Sequence, residues 1–249
     1  DAQESRGLGD VYKRQLYSTG LQMQDIFLSP HYDDIAFSLS SFFHKNDIII
    51  NIFTESNYIE NKNMNLSMSV SELREKEEQD FISRNSLKYI KLGFQDRSLI
   101  GAPFSFFHTI KENAELERVL IDNLMNLRTF DNQHVYCPLG IGKHYNHLET
   151  FDVIYKNYSH LAKFFKIIFY ADIPYIYYKN NYQNRMKYLH EFFQQYGLTA
   201  KIIKLNKEEV VQKVNNLKLY KSQFAYLNDN FIQEKIGGVQ KDFKEIIFS

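Results

Sequence analysis

Short apolar runs alternate with longer, more polar stretches along most of this chain. The apolar runs are rich in β-branched and aromatic residues, so we predict strands at residues 25–29, 47–53, 87–92, 134–137, 166–170 and 200–205. The stretches between them predict helices at residues 35–44, 69–84, 113–127, 147–164, 181–196 and 207–226. The Ser-x-x-Glu pattern at Ser69 and Glu72 is typical of a helix start. Strands that alternate with helices favour an α/β fold with a mostly parallel sheet.

Length and charge exclude several classes of protein. The chain has 249 residues, 44% hydrophobic and 24% charged, which suits a globular domain with a sizeable core. Lys plus Arg equals Asp plus Glu at 30 each, so the charge predicts no contact with nucleic acid or an anionic membrane. No segment approaches the ~20 apolar residues of a membrane helix, and no secretory signal is visible. The single cysteine, Cys137, excludes an internal disulfide framework, and together these features favour a cytoplasmic protein.

The first residues look foreign to the rest of the chain. DAQESRGLGDVYKRQ shows no hydrophobic periodicity, and SRGLGDVYKRQ resembles a translated adapter scar from assembled sequence data. We therefore leave residues 1–15 out of fold reasoning and expect residues 16–249 to form one domain. A native disordered tail is the alternative interpretation of residues 1–15.

Two polar clusters each follow a predicted strand. The first is SPHYDD at residues 29–34, and the second is PLGIGKHYNH at residues 138–147. Loops that follow parallel strands meet at one edge of the sheet, where ligands bind in open α/β folds. No G-x-G-x-x-G follows the first strand, so a dinucleotide site is not supported. Gly140 and Gly142 suit a loop with unusual backbone angles.

Together, the two clusters contain the residue types of a catalytic zinc site. His31, Asp34 and His147 would supply two nitrogens and one oxygen, and zinc lowers the pKa of bound water towards ~7. Asp33 would take a proton from that water, and His144 would face the substrate carbonyl and stabilise a developing oxyanion. Each cluster alone is more simply a polar turn, but two clusters at two strand ends favour a metal site.

At these residues the chain resembles the PIG-L (LmbE-like) family of zinc-dependent N-acetylglucosaminyl deacetylases. SPHYDD and KHYNH are similar to the H-P-D-D and H-x-D-H patterns of that family. The resemblance covers roughly residues 25–233, because further segments match in order: Arg74 to Glu77, residues 92–96, 170–175 and 220–223. It implies a Rossmann-like, mostly parallel sheet flanked by helices, with a smaller α/β extension at the C-terminal side.

The resemblance also implies roles for individual residues. His31, Asp34 and His147 would bind Zn²⁺, with another divalent metal such as Fe²⁺ as the alternative. Asp33 would be the general base and then the acid, and His144 would polarise the amide carbonyl. Four residues would support the site or face the substrate: Arg74, Asp96, Asp172 and Tyr175. An ordinary i, i+3 helix pair for Arg74 and Glu77, and simple packing for Tyr175, are the alternatives.

The implied substrate is a small N-acetylated sugar or glycoconjugate, with no nucleic-acid partner and no membrane span, and a homo-oligomer is left open. Residues 55–68 and 100–108 are expected to line the substrate pocket. The competing interpretations are a catalytically silent carbohydrate-binding protein with the same fold and a metal-assisted hydrolase of phosphate esters. The absence of a further carboxylate cluster for a second metal disfavours the phosphate-ester hydrolase.

The sequence departs from the family pattern at three positions. Tyr32 stands where proline is common, Ile35 replaces a frequent glutamate, and Asn146 replaces the aspartate of H-x-D-H. If that aspartate orients a neighbouring histidine, the uncharged Asn146 would do so less strongly. None of the departures removes a predicted metal ligand.

Overall fold

One seven-stranded sheet organises the residues that the structure, a computed structural model, describes. These are residues 24–64, 66–101, 103–108, 110–178, 180–224, 226, 228–238 and 242–249, so residues 1–15 lie outside them. The strands are β1 (Ile26–Ser29), β2 (Ile48–Glu55), β3 (Lys88–Gln95), β4 (Gln133–Pro138), β5 (Phe165–Tyr170), β6 (Ala200–Lys204) and β7 (Lys244–Phe248). Their order across the sheet is β3-β2-β1-β4-β5-β7-β6.

The sheet is mostly parallel, as the alternating pattern predicts. β1 lies in the centre and pairs in parallel with β2 and β4, and β3 and β5 continue the parallel arrangement on either side. β7 runs antiparallel to both β5 and β6 and joins them into the same sheet. The first five strands therefore present their carboxyl ends at one edge, and the C-terminal segment extends the sheet beside them.

The central strands are apolar on both faces because helices cover both sides of the sheet. Ile26 and Leu28 of β1 point into one hydrophobic cluster, while Phe27 belongs to the other. All four residues of β1 are buried, and so are all residues of β2 except the last. A continuous apolar run, rather than an alternating one, is therefore the pattern that identifies these strands.

Eight α-helices surround the sheet in the described part of the chain. They are α1 (Asp34–Ser38), α2 (Val70–Asn85), α3 (Ala114–Leu127), α4 (Tyr145–Lys156), α5 (Tyr158–Leu161), α6 (Asn181–Tyr196), α7 (Lys207–Leu217) and α8 (Asp229–Gly237). The predicted start of α2 is confirmed, because Ser69 caps the helix and Glu72 closes a capping box with it. The described residues contain no helix that is long and apolar enough to cross a membrane.

Three predicted helices are too long, and tertiary contacts explain where two of them end. The helix predicted to reach residue 44 ends at Ser38, because the backbone and hydroxyl groups of Ser40 and Ser41 donate to the Glu245 carboxylate of β7. The helix predicted to reach residue 226 ends at Leu217, and Ser222 beyond it binds Glu77 of α2.

The third overlong prediction, at residues 147–164, is interrupted. The chain leaves helical geometry at Asn157, between α4 and α5, and the Asn157 amide donates to Val153 and to the Glu117 carboxylate of α3. No predicted helix or strand corresponds to α8 or β7. A short strand at the chain end and a weakly amphipathic helix carry little local signal, and both depend on the sheet and helices already in place.

Candidate metal centre

The turn after β1 orients two side chains towards the sheet edge. The strand ends at Ser29, and α1 begins only five residues later at Asp34. The Asp34 carboxylate accepts the backbone N–H of His31 at 2.7 Å from Oδ2. This local bond fixes Asp34 beneath the imidazole of His31, so the two side chains share one pocket.

The loop after β4 needs glycine at two positions. Gly140 and Gly142 have φ angles of +70° and +84°, in the left-handed region that favours glycine. A Cβ on Gly142 would lie 2.6 Å from the Tyr175 ring, and one on Gly140 would lie 2.8 Å from Leu148. This close packing brings the start of α4, and with it His147, to the same sheet edge as His31.

Donor atoms of three residues converge at this edge, one nitrogen from each histidine and both carboxylate oxygens of Asp34. His147 Nε2 lies 3.3 Å from His31 Nδ1 and 3.3 Å from Asp34 Oδ1, and His31 Nδ1 lies 3.3 Å from Asp34 Oδ2. Ligand atoms about 2.0–2.1 Å from a tetrahedral zinc ion are separated by about 3.3–3.4 Å. The donor types fit such an ion, each pair of residues has this spacing through one or the other Asp34 oxygen, and all three residues are buried.

Asp172 holds His147 in the orientation that this arrangement needs. Its Oδ1 lies 2.6 Å from His147 Nδ1, and its Oδ2 accepts the backbone N–H of Ile141 at 2.9 Å. With Nδ1–H donating to Asp172, Nε2 is left to face the other two donors. Burial acts to lower the pKa of His147, but Asp34 and Asp172 outweigh it and raise the pKa to about 10. The pocket therefore favours positive charge at this point.

His144 belongs to the same cluster of side chains. One ring nitrogen from each of His31, His144 and His147 lies within 4.8 Å of the others, so these three buried imidazoles could also hold a metal ion. Burial, together with His31 and His147, holds the pKa of His144 well below its usual value, so the ring is neutral. Within the described residues its Nδ1 atom is buried without a hydrogen-bond partner. A buried polar atom without a partner suits a group that faces a ligand.

The two consecutive aspartates have opposite electrostatic environments. Burial alone would raise the pKa of Asp34, but His147 and His31 outweigh it and hold the pKa well below its usual range. Burial raises the pKa of Asp33, although the Arg74 guanidinium, 3.2 Å from Asp33 Oδ1, opposes the shift. Environments that shift the pKa values of two neighbouring carboxyl groups in opposite directions are typical of sites where the two groups have different catalytic roles.

Arg74 and Glu77 bind separate partners rather than each other. Arg74 contacts Asp33 at 3.2 Å and lies 3.9 Å from Asp96, whereas Glu77 accepts the backbone and hydroxyl groups of Ser222 at 2.8 and 2.6 Å. The geometry therefore differs from an ordinary i, i+3 helix pair. Arg74 faces the cluster, and Glu77 anchors the chain segment that follows α7.

Asn146 contacts His31 and not His147, its neighbour in the chain. Its Nδ2 lies 2.8 Å from His31 Nε2 and donates to Asp96 Oδ1 at 3.0 Å. Asp96 in turn accepts the Ser56 hydroxyl at 2.8 Å. The replacement of aspartate by Asn146 therefore acts on His31, through the ring nitrogen that faces away from the three-donor cluster.

A cavity of about 330 Å³ opens above the cluster. Both segments expected to form its walls contribute, residues 55–68 through Tyr58 and Glu60, and residues 100–108 through Pro103 and Phe104. Tyr175 also lines the cavity, with its ring edge-on to His147 at a centroid distance of 5.7 Å. Gln223, from the segment 220–223 that resembles the family, also lines the cavity, and so do Ser98 and Lys235, which no sequence motif marks.

Solved structures share this fold. The A40926 pseudoaglycone deacetylase is 14% identical and matches over 92% of this chain and 97% of its own, with a TM-score of 0.60. The deacetylase of teicoplanin biosynthesis, solved with teicoplanin, is 12% identical over 90% and 97%, with a TM-score of 0.61. The N,N'-diacetylchitobiose deacetylase from Pyrococcus horikoshii is 14% identical over 91% and 84%, with a TM-score of 0.56.

No protein-family profile matches the chain, and no curated protein matches it significantly. At identities of 12–14% the likeness to solved structures concerns the fold, and the predicted α/β architecture is confirmed.

Proposed function

We propose that this protein is a zinc-dependent hydrolase that removes an N-acyl group, and specifically an N-acetyl group, from an amino sugar or glycoconjugate. The observation that carries the proposal is the set of 3.3 Å separations among the donor atoms of His31, Asp34 and His147. The shared fold supports it, because the solved structures with that fold are named as deacetylases.

In this proposal His31 Nδ1, His147 Nε2 and Asp34 hold the metal ion, and Asp172 supports His147 from behind. Two imidazoles with one carboxylate suit zinc, and Fe²⁺ is the alternative for the same donors. When bound, the ion supplies a Lewis acid for the amide carbonyl and lowers the pKa of an attacking water towards ~7. Every other part of the chemistry depends on side chains of this chain.

Asp33 transfers the proton. Its carboxylate takes a proton from the attacking water and then gives it to the amine that leaves, so it acts first as base and then as acid. The raised pKa of Asp33, caused by burial, supports this role, because it makes the carboxylate a stronger base towards the attacking water. Arg74 orients the carboxylate through the contact to Oδ1.

His144 stabilises the negative charge on the carbonyl oxygen. The ring is neutral, so it offers one N–H donor without carrying its own charge into the site. Removal of one donor of this kind costs about 3 kcal/mol of transition-state stabilisation. Tyr175 and Asp96 line the same cavity and are proposed to contact the sugar.

The test is a screen of N-acetylated hexosamines for release of the free amine, with and without a chelator. We expect one or more of them to lose the acetyl group, and the chelator to abolish the reaction until zinc is returned. A metal-loaded protein that binds these sugars without releasing amine would identify the silent carbohydrate-binding protein instead. Release of phosphate from phosphate esters by the same preparation would identify the other hydrolase.

The ligand assignment has its own test. The His147→Ala variant should lose bound zinc in a stoichiometric metal assay, because it removes one of the three converging donors. The exposed His160 lies on α5, and His160→Ala is the matched control that keeps its zinc. A normal zinc content in His147→Ala would refute this ligand.

A further inference from the structure

Arg185 is a buried cation that the proposed chemistry does not use. It lies on α6, is 1% exposed, and forms no ion pair within the described residues. Its guanidinium packs against the rings of Phe151 and Tyr188, at 4.5 and 5.4 Å from their centroids. Burial lowers the pKa of Arg185 to about 10, and a buried charge without an anionic partner is costly in stability. An apolar side chain would fill the same space without that cost, which points to a specific role for the guanidinium.

The guanidinium joins two chain segments through their backbone. Its Nε donates to the Leu139 carbonyl at 2.7 Å, in the loop between β4 and α4. Its Nη1 donates to the His108 carbonyl at 2.8 Å, at the end of the segment 103–108 that forms part of the cavity wall. Arginine suits this task because its donors diverge in a fixed fork, whereas lysine carries a single nitrogen. One side chain therefore holds both segments at a set separation.

The same two segments pair with each other at His144. The backbone N–H groups of Tyr145 and Ser105 donate across the gap between them at 2.7 and 2.9 Å. These bonds form an antiparallel bridge in which Phe104 lies opposite His144, and we call residues 103–105 and 143–145 the His144 bridge. The Phe104 ring also meets the His144 ring edge-on, at a centroid distance of 5.3 Å. The bridge therefore fixes the backbone of His144 and one side of its ring.

His144 depends on this bridge because no side chain orients its ring as Asp172 orients His147. Asp172 Oδ1 lies 2.6 Å from His147 Nδ1. The Nδ1 atom of His144, by contrast, is buried without a hydrogen-bond partner among the described residues. The direction of the His144 ring is therefore set by the bridge and by packing against neighbouring rings such as those of His31 and Phe104.

We propose that Arg185 is a positioning residue, which holds the two segments of the His144 bridge in register and so aims His144 at the substrate carbonyl. It acts through the backbone carbonyls of Leu139 and His108, and it is not among the described residues that line the cavity. This inference rests on the proposed deacetylase function and adds a residue remote from the substrate to the same reaction.

The experiment compares Arg185→Met with wild type in the zinc-loaded protein, with N-acetylglucosamine as the probe. We expect kcat to fall about 10–100-fold while KM changes less than about twofold, because a misaligned oxyanion donor lowers turnover without weakening ground-state binding. Zinc content should stay that of wild type, because the proposed ligands are unchanged. Lys187→Met removes an exposed positive charge from the same helix and is the matched control.

A double-variant cycle distinguishes positioning from a purely structural role. If Arg185 acts through His144, Arg185→Met should lower kcat by less than about twofold in a His144→Ala background. A variant that only reduces the amount of folded protein would lower kcat equally in both backgrounds. Equal losses in the two backgrounds, or no loss in either, overturn the proposal.

Arg185→Lys covers the case in which Arg185→Met does not fold. Lysine keeps the positive charge, but its single nitrogen cannot take both donor positions of the guanidinium. We therefore expect kcat to fall about threefold to tenfold, and the loss should again disappear in the His144→Ala background. A wild-type kcat in Arg185→Lys overturns the bridging role.

Hydrogen exchange tests the inference separately from the deacetylase function. If wild type releases no amine from any N-acetylated hexosamine, the deacetylase proposal fails by itself. Mass spectrometry of peptides covering residues 103–108 and 139–145 should still show faster exchange in Arg185→Met or Arg185→Lys than in wild type, with peptides from β2 and α2 unchanged. Unchanged exchange in the two segments, or an equal increase throughout the chain, overturns the bridging role.

Discussion

Two clusters of buried charged side chains in the described part of the chain differ in how their charges are compensated. In the Lys213 cluster, the Lys213 ammonium lies 2.6 Å from Glu245 Oε1, and both side chains are at most 1% exposed. Ser40 and Ser41 supply four further hydrogen bonds to the Glu245 carboxylate. In the candidate metal centre, by contrast, donor atoms of His31, Asp34 and His147 face one another at 3.3 Å.

The difference shows that burial of charge does not by itself indicate function. The Lys213 cluster is electrically balanced and closed, because each charged group has a partner of opposite sign within the protein. In the candidate metal centre, nitrogen and oxygen donor atoms from three residues converge beneath a cavity of about 330 Å³. Convergence of donors at an accessible cavity, rather than burial, is the feature that points to a ligand.

The largest effect that we expect is at the candidate metal centre, where a substitution should abolish turnover without lowering stability. Asp33→Asn should lower kcat by about 10²–10⁴-fold, because the proton can no longer be transferred, while zinc content and melting temperature stay near those of wild type. Amine release, metal analysis and a thermal scan measure the three quantities. The exposed Asp122 of α3 provides the control Asp122→Asn. Full activity of Asp33→Asn would remove Asp33 from the mechanism.

A substitution in the Lys213 cluster should lower stability and leave the candidate metal centre unchanged. Lys213→Met leaves the Glu245 charge buried without its cation, at an expected cost of about 3–5 kcal/mol in the free energy of unfolding. Denaturant unfolding measures this cost, and zinc affinity should be unchanged in the folded protein. Lys244→Met, which breaks an exposed pair with Asp242 near the same strand, should cost less than about 1 kcal/mol.

If Lys213→Met does not fold, the double variant Lys213→Met/Glu245→Gln still tests how much an unpaired buried charge destabilises the protein. It removes both charges and should recover part of the stability. A Lys213→Met protein as stable as wild type would show that the ion pair contributes little.

A smaller effect, on zinc affinity, is expected from Asp172, which contacts the proposed metal ligand His147. Asp172→Asn keeps an oxygen acceptor for Ile141 or His147 but removes the negative charge, so zinc affinity should fall about 10–100-fold. Competition with a chromophoric chelator measures the change. Asp152→Asn, in an ion pair with Lys156 on α4, is the matched control. An unchanged zinc affinity in Asp172→Asn would show that His147 needs no anionic support.

The smallest effect concerns a buried carboxyl group outside both clusters. Glu78 is buried and accepts hydrogen bonds from Tyr220 at 2.5 Å and Asn51 at 3.0 Å, both neutral, and no ion pair to it occurs among the described residues. Burial raises the pKa of Glu78 from 4.5 to about 8, although both hydrogen bonds oppose the shift. The folded state therefore binds this proton more tightly than the unfolded state does.

The sign of the pH dependence follows from that difference. The stability associated with the protonated Glu78 is fully present below about pH 4.5 and is lost as pH rises through the folded pKa of about 8. Glu78→Gln should therefore gain stability relative to wild type between pH 5 and 8, on the order of 1 kcal/mol or about 2–4 °C. Thermal scans at several pH values test this. The exposed Glu115 on α3 provides the control Glu115→Gln, and a pH-independent difference would contradict the assignment.

Local patterns predicted the features that depend on neighbouring residues. The capping box of α2, the apolar runs of the central strands and the two polar clusters were all visible in the sequence. The ends of several elements were not, because they depend on residues far away in the chain. Ser40 leaves helical geometry to bind Glu245, a residue 205 positions later, and the segment after α7 is anchored by Glu77.

The sequence by itself determined which residue types stand at the carboxyl ends of β1 and β4. Parallel strands place those ends at one edge, so the sequence predicts that His31, Asp34 and His147 lie close together there. Only the tertiary structure decided the different electrostatic environments of the two consecutive aspartates. His147 and His31 hold the pKa of Asp34 low, whereas burial raises the pKa of Asp33 despite Arg74.

The contacts of Asn146 and Lys235 could not be predicted from the sequence either. Asn146 stands next to His147 in the chain but contacts His31, and Lys235 reaches the cavity from a helix that no pattern marked. Electrostatic shifts and cavity walls depend on distances between groups that are remote in sequence. Residue spacing along the chain can indicate which groups are present, but their mutual orientation is set by how the sheet and its helices pack.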